Sequence, residues 1–191
     1  MDGIEGKEIS DEELMRRFQG GDRAAFTSLV KRFQDPLYYF ICRFIGDPHT
    51  AEDILQETFL RVYLKRNRYR EIARFSTWIY TIAVNLAKSE FRRRKRVRSF
   101  DPNEPGRGGI GPVTVGEEGI EEEADRYFRN RLIQEKLSQL PPKFRLVVIL
   151  RDIQQLSYEE ISGIVGVPVG TVKSRINRGR IRLYRMLKSI L

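Results

Sequence analysis

With one cysteine, one histidine and one tryptophan among 191 residues, the chain has little of the usual chemical equipment. Cys42 has no partner for an intrachain disulfide, which makes a reducing compartment, the cytoplasm, the expected home. Between Ile41 and Phe44 it reads as a small core residue rather than a reactive thiol. No apolar run approaches the ~20 residues needed to span a bilayer; the longest strongly apolar stretch is Leu146-Val-Val-Ile-Leu150. The first residues, Met-Asp-Gly-Ile-Glu-Gly-Lys-Glu, lack a basic segment followed by an apolar one, so neither a secretory leader nor membrane insertion is expected. Also missing are a Gly-rich phosphate loop, a Gly-x-Ser-x-Gly motif and a cysteine–histidine pair. His49 sits in Asp47-Pro-His-Thr and reads as a solvated loop residue. Asp53 and Glu57 share a helix face but lack a further ligand candidate, so no catalytic residue, metal or cofactor is expected. Period-2 alternation is nowhere long enough for a sheet, which leaves an all-α chain.

Acidic groups are in the minority: 35 Lys and Arg stand against 26 Asp and Glu, a net charge of +9. That balance favours a polyanionic partner, nucleic acid or an anionic membrane face. The excess is unevenly placed. Residues 1–100 carry net +6, residues 101–126 net −6 and residues 127–191 net +9. The acidic stretch is rich in Gly and Pro and poor in large apolar groups, as in Asp101-Pro-Asn-Glu-Pro-Gly-Arg-Gly-Gly. It reads as a flexible linker over residues 101–121 between two small helical bundles, residues 1–100 and 122–191.

Helical periodicity fills both bundles. Ser10 or Asp11 caps a first helix ending at Gly20-Gly21. Asp22 caps a second, kinked at Pro36 and closed by Gly46-Asp-Pro. Thr50-Ala-Glu-Asp53 reads as a capping box for a third helix, and a fourth covers roughly residues 76–96. After the linker, a helix near residues 122–139 leads to Leu140-Pro-Pro, and Pro142 opens a helix running to about Asp152.

The C-terminal residues then form a helix-turn-helix pattern. Ser157 and Glu160 make a capping box; Ile161, Ile164 and Val165 line one helical face; Gly166 and Pro168 enforce the turn. Val172 and Ile176 pin the second helix to the core. Lys173, Ser174, Asn177, Arg178 and Arg180 lie away from that stripe, as expected of a helix that enters the DNA major groove. The plain alternative is a helical hairpin with a solvated basic face.

Two further segments stand out. In the helix over residues 50–65, Ala51, Ile54, Leu55, Thr58, Phe59, Val62 and Tyr63 cover one face, while Asp53, Gln56, Glu57, Leu60 and Leu64 cover the other. Leucines beside acids on a polar face suit docking of a partner helix, with Leu60 as apolar anchor; single exposed leucines are also ordinary. The segment from Arg74 to Arg96 joins Phe75, Trp78 and Tyr80 to a dense run, Arg92-Arg-Arg-Lys-Arg96. Rings that stack on bases beside cations that follow phosphates suit single-stranded DNA, and Asn85 carries a donor and an acceptor fit for a base edge. The competing reading makes Trp78 core and the arginines a solvated helix end.

In order along the chain, Asp22-Arg-Ala-Ala-Phe26, Ala51-Glu-Asp-Ile-Leu-Gln-Glu-Thr-Phe-Leu60, Phe75-Ser-Thr-Trp-Ile-Tyr-Thr-Ile-Ala-Val-Asn-Leu-Ala-Lys88, Leu140-Pro-Pro, Ser157-Tyr-Glu-Glu-Ile161 and Gly170-Thr-Val-Lys-Ser-Arg175 resemble the extracytoplasmic-function sigma factors of the sigma-70 family. The resemblance implies a non-enzymatic initiation factor that recruits core RNA polymerase to promoters. It implies that Asp53, Gln56, Glu57 and Leu60 grip the clamp helices of the β′ subunit, with further contact to the β subunit. It places Phe75, Trp78, Asn85, Lys88, Arg92 and Arg93 at the −10 element, where a base is flipped from the stack. It places Thr171, Lys173, Ser174, Arg175, Asn177 and Arg178 at duplex −35 DNA. The linker would thread the polymerase, and an anti-sigma partner would hold the factor inactive. Gly179 departs from the family's usual alanine and is expected to loosen the second half of its helix, at a cost of about 0.5–1 kcal/mol. Asn177 is a small polar reader, so the −35 sequence does not carry over from relatives. The rival functions are a free-standing helix-turn-helix regulator that never touches polymerase, and a DNA-cleaving or strand-joining enzyme targeted by the same motif.

Overall fold

The computed structural model describes the backbone of residues 9–100 and 120–188, and side chains over 9–96 and 129–188. Eight α-helices and no strand occur among the described residues: α1 Asp11–Gln19, α2 Arg23–Ile45, α3 Pro48–Leu64, α4 Phe75–Phe100, α5 Ile120–Gln139, α6 Pro142–Val148, α7 Tyr158–Val165 and α8 Val169–Lys188. The expected linker falls mostly on residues 101–119, which lie outside the described residues. No described helix is long and apolar enough to cross a membrane.

Local chemistry sets most helix ends. The Ser10 side chain accepts the Glu13 N–H at the start of α1, and Asp22 accepts from Ala24 and Ala25 at the start of α2. Pro36 lies inside α2 without ending it. Ser157 and Glu160 form the full reciprocal capping box, and Gly166 closes α7 at φ 70°, a conformation glycine adopts without a Cβ penalty. The third helix differs from expectation. It starts at Pro48, two residues earlier, and no side chain caps its backbone. The Thr50 hydroxyl instead donates to Asp47 Oδ2 at 2.7 Å, and Arg94 of α4 also reaches both residues. Burial alone would raise the Asp47 carboxyl, but the Thr50 hydroxyl and the Arg94 guanidinium outweigh it and hold the pKa below its ordinary value. The helix opened by Pro142 also differs, giving way at Ile149–Ile153 to one π turn. Gln155 follows at φ 57° and redirects the chain into α7.

In the N-terminal bundle, α2 lies between α1, α3 and α4. Leu29, Leu37, Phe40, Ile41 and Phe44 are fully buried, and Phe40 meets Phe44 and Tyr80 at ring distances of 6.3 and 5.7 Å. The C-terminal bundle packs α6, α7 and α8 around Val147, Leu150, Ile161, Val172 and Ile176. The buried residues of the two bundles meet in one continuous apolar cluster.

Gly179 overturns the expectation of a loosened helix. It is buried, and a Cβ there would stand 2.6 Å from Val148 Cγ2 and 3.5 Å from Phe144 Cβ. The glycine lets α8 lie directly on α6, and α8 continues without a break to Lys188. Gly179→Ala would add about 1 kcal/mol of helix propensity, yet overpacking against a stiff β-branched neighbour costs about 1–3 kcal/mol. The expected result is a net loss, read as a lower melting temperature by differential scanning calorimetry. A higher one would contradict the packing account.

Candidate nucleic-acid interface

On α8, Val172 and Ile176 face the core at less than 3% exposure. The opposite face presents Lys173, Ser174, Asn177 and Arg178, all exposed, with Thr171 and Arg175 half-buried beside them. Ser174 Oγ donates to the Thr171 carbonyl at 3.0 Å, which occupies its own proton. Lys173 Nζ and the Arg151 guanidinium lie 5.4 and 4.8 Å from the Tyr158 ring centroid. Tyr158 thereby holds cations at the start of the hairpin. Arg180 is tied down by Asp152 in a bidentate ion pair. Arg178 has no ion pair among the described residues, so its guanidinium is available to a base or a phosphate.

The α4 residues are sorted by burial. Phe75, expected to stack on an unpaired base, is instead enclosed. Its ring packs on Phe33, Tyr69 and Trp78 at 5.3, 5.8 and 6.0 Å, and its N–H donates to Glu12 Oε1. An aromatic at the first position of α4 is pulled inward because α1 and α2 close over that end. Trp78 is half-buried against Tyr69, while Asn85 and Arg92 are exposed. Lys88 is half-buried, and its pKa is lowered by burial and then by the nearby charges of Arg175 and Arg92. The dense cationic run is less bare than its sequence suggests: Arg93 makes a two-point contact with Glu90 at 2.7 and 2.9 Å, and Arg94 pairs with Glu90 and Asp47.

Sequence reasoning missed Ile72. It lies in the loop ahead of α4, between Arg70 and Arg74, and is 94% exposed. The loop is held by Tyr69 Oη donating to the Ala73 carbonyl at 2.9 Å and by Gln19 Nε2 donating to the Arg66 and Tyr69 carbonyls. Ile72 has no place in any periodic pattern, so only its isolation among arginines could have marked it.

A third surface lies on α3. Ala51, Ile54, Thr58 and Val62 point inward, and Asp53, Gln56, Glu57, Leu60 and Leu64 line the outer face. Leu60 is 50% and Leu64 67% exposed, and Glu57 pairs with Arg61 at 2.7 Å. Nothing among the described residues covers this stripe.

Residues 29–97 match the family model for sigma-70 region 2, and residues 130–183 the one for sigma-70 region 4. The chain is 34% identical to the ECF RNA polymerase sigma factor SigW of Bacillus subtilis over 96% of its own length and all of the relative's. It is also 34% identical to the ECF RNA polymerase sigma-E factor of Escherichia coli, over 91% of this chain and 92% of that one. Among solved structures, the sigma factor RpoE of Bartonella quintana, crystallised with the anti-sigma factor NepR, superposes with a TM-score of 0.70 at 25% identity, covering 85% of this chain and 96% of that one. With matched regions in order and relatives aligned end to end, this chain belongs to the extracytoplasmic-function sigma factors of the sigma-70 family.

Proposed function

We propose that residues 1–100 bind core RNA polymerase through α3 and read the −10 element through α4, and that residues 122–191 read the −35 element through α8. Asp53, Gln56, Glu57 and Leu60 dock on a helical element of the polymerase. Trp78, Asn85, Lys88 and Arg92, with Ile72 at the neighbouring loop tip, engage an unpaired strand. Arg93 follows its phosphates once Glu90 releases it. Thr171, Lys173, Ser174, Arg175, Asn177 and Arg178 enter the duplex major groove. The factor performs no chemistry of its own, acts in the cytoplasm and is held in check by an anti-sigma protein that covers these surfaces.

The observation that carries this reading is the uncovered Leu60–Leu64 stripe flanked by carboxylates on α3. A free-standing regulator needs the hairpin but has no use for that stripe. Affinity purification of the tagged chain from its own cells should recover core polymerase subunits in stoichiometric amount. Recovery of DNA without polymerase would favour the free-standing regulator instead.

A further inference from the structure

The loop between α3 and α4 is tied to α1 at both of its ends. Gln19 Nε2 donates to the Arg66 carbonyl at 2.7 Å and to the Tyr69 carbonyl at 3.2 Å. Both partners are acceptors, so the amide nitrogen rather than the amide oxygen must face them. At the far end, Glu12 Oε1 accepts the Phe75 N–H at 3.0 Å. Between these ties, Arg16 Nε pairs with Glu71 Oε2 at 3.3 Å. Glu12, Arg16 and Gln19 follow i, i+4, i+7 spacing, which sets them on one face of α1. Leu14, Met15 and Phe18 bury a different face and hold the helix in the bundle.

The Glu12 tie supplies what the local sequence lacks. The first N–H groups of a helix have no intrahelical acceptor. The residue ahead of α4 is Arg74, whose guanidinium carries donors only. A carboxylate 63 residues upstream provides the acceptor for Phe75, where it also meets the positive end of the helix dipole. The Arg16–Glu71 pair contributes least, because both side chains are more than half-exposed. Tyr69 Oη closes the loop on the Ala73 carbonyl at 2.9 Å, so residues 70–72 are left to project as its tip. Ile72, at 94% exposure, owes its place to no packing, and an open groove lined by Ser10, Arg32 and Arg74 separates it from α1. The direction of the tip is therefore set by the two polar ties.

We propose that α1 is a brace for base selection: Glu12 and Gln19 are positioning residues that fix the loop ahead of α4 and thereby decide how strictly the factor discriminates among bases of the −10 element. Both act through the loop and neither touches DNA. They lie ahead of residue 29, where the match to region 2 begins. The proposal rests on the assignment of α4 and its preceding loop to the −10 element.

The test uses the full chain with core polymerase on a genomic promoter fragment selected by the wild-type holoenzyme, and on its single-base substitutions across the −10 segment. Transcript yield at limiting holoenzyme should fall about tenfold or more at the best-read position for wild type, as one mismatched position commonly costs. Glu12→Ala combined with Gln19→Leu should shrink that ratio to within about threefold, as loss of two hydrogen bonds would. Affinity for core polymerase and protection of the −35 segment should stay at wild-type levels. Glu12→Gln keeps an acceptor for the Phe75 N–H and should keep the wild-type ratio, as should Arg16→Ala. Gln19→Leu alone gives a second arm, since Leu14, Met15 and Phe18 still anchor α1. Its melting temperature should stay close to wild type while it loses at least about threefold of the discrimination. Full discrimination by either the double or the single variant, or a loss seen only together with loss of polymerase binding, would overturn the brace. If wild type transcribes all the substituted fragments equally, the −10 reading itself fails, and the brace with it.

Discussion

Leu60→Asp is expected to weaken binding to core RNA polymerase about 100-fold while leaving the chain folded. Leu60 is half-exposed on the outer face of α3, and the helix is anchored by Ala51, Ile54, Thr58 and Val62 on the other side. The substitution therefore removes no core contact, and the melting temperature should stay close to wild type. At the docked surface the loss is large for two reasons. Truncating a central apolar anchor commonly costs 2 kcal/mol or more, and a new carboxylate would be desolvated beside Glu57 without a partner. Together these amount to about 3 kcal/mol, roughly 100-fold in dissociation constant. Fluorescence anisotropy with labelled chain and purified core measures it directly. An affinity within threefold of wild type would remove α3 from the polymerase interface and strengthen the case for a free-standing regulator.

The second large effect separates base reading from phosphate binding on α8. Arg178 is exposed and unpaired among the described residues, on the face opposite Val172 and Ile176. Arg178→Ala should cost about 1–3 kcal/mol on the preferred −35 sequence and flatten the preference at one base pair, as loss of a two-point contact to a base edge would. Arg175 is half-buried near Lys88. Arg175→Ala should weaken all −35 sequences alike and reduce the slope of log affinity against log salt by about one. Holoenzyme binding across single-base −35 variants at several salt concentrations distinguishes the two. Equal patterns from both variants would refute the division of roles.

How much of this was legible in the sequence depended on the range of the interaction. Features written into four or five consecutive residues were legible: the Ser10 and Asp22 caps, the Ser157–Glu160 box and the left-handed Gly166. So was the split of α8 into an inward Val172–Ile176 stripe and an outward basic face. The Thr50 box was misread because the hydroxyl donates to Asp47, three residues back, and accepts from the distant Arg94, so it does not cap its own helix. A count of consecutive cations likewise leaves out the carboxylates that neutralise them, Glu90 three residues from Arg93 and the distant Asp47 beside Arg94. Phe75 looked like a base-stacking ring because local aromatic density cannot reveal that α1 and α2 close over it. Gly179 looked like a weak point because helix propensity is a one-body property, whereas the 2.6 Å approach to Val148 belongs to a pair of helices. The seam between the bundles was invisible for the same reason. Gln134, Arg145 and Tyr80 each meet partners 74 or more residues away, and no spacing rule connects them.

The account stands most directly on promoter opening. Permanganate should oxidise thymines within the −10 segment of a selected promoter only when this chain and core polymerase are both present, and Asn85→Ala should reduce that reactivity while leaving −35 protection in place. Thymines left paired by the complete holoenzyme, or opened equally well by core polymerase alone, would contradict it.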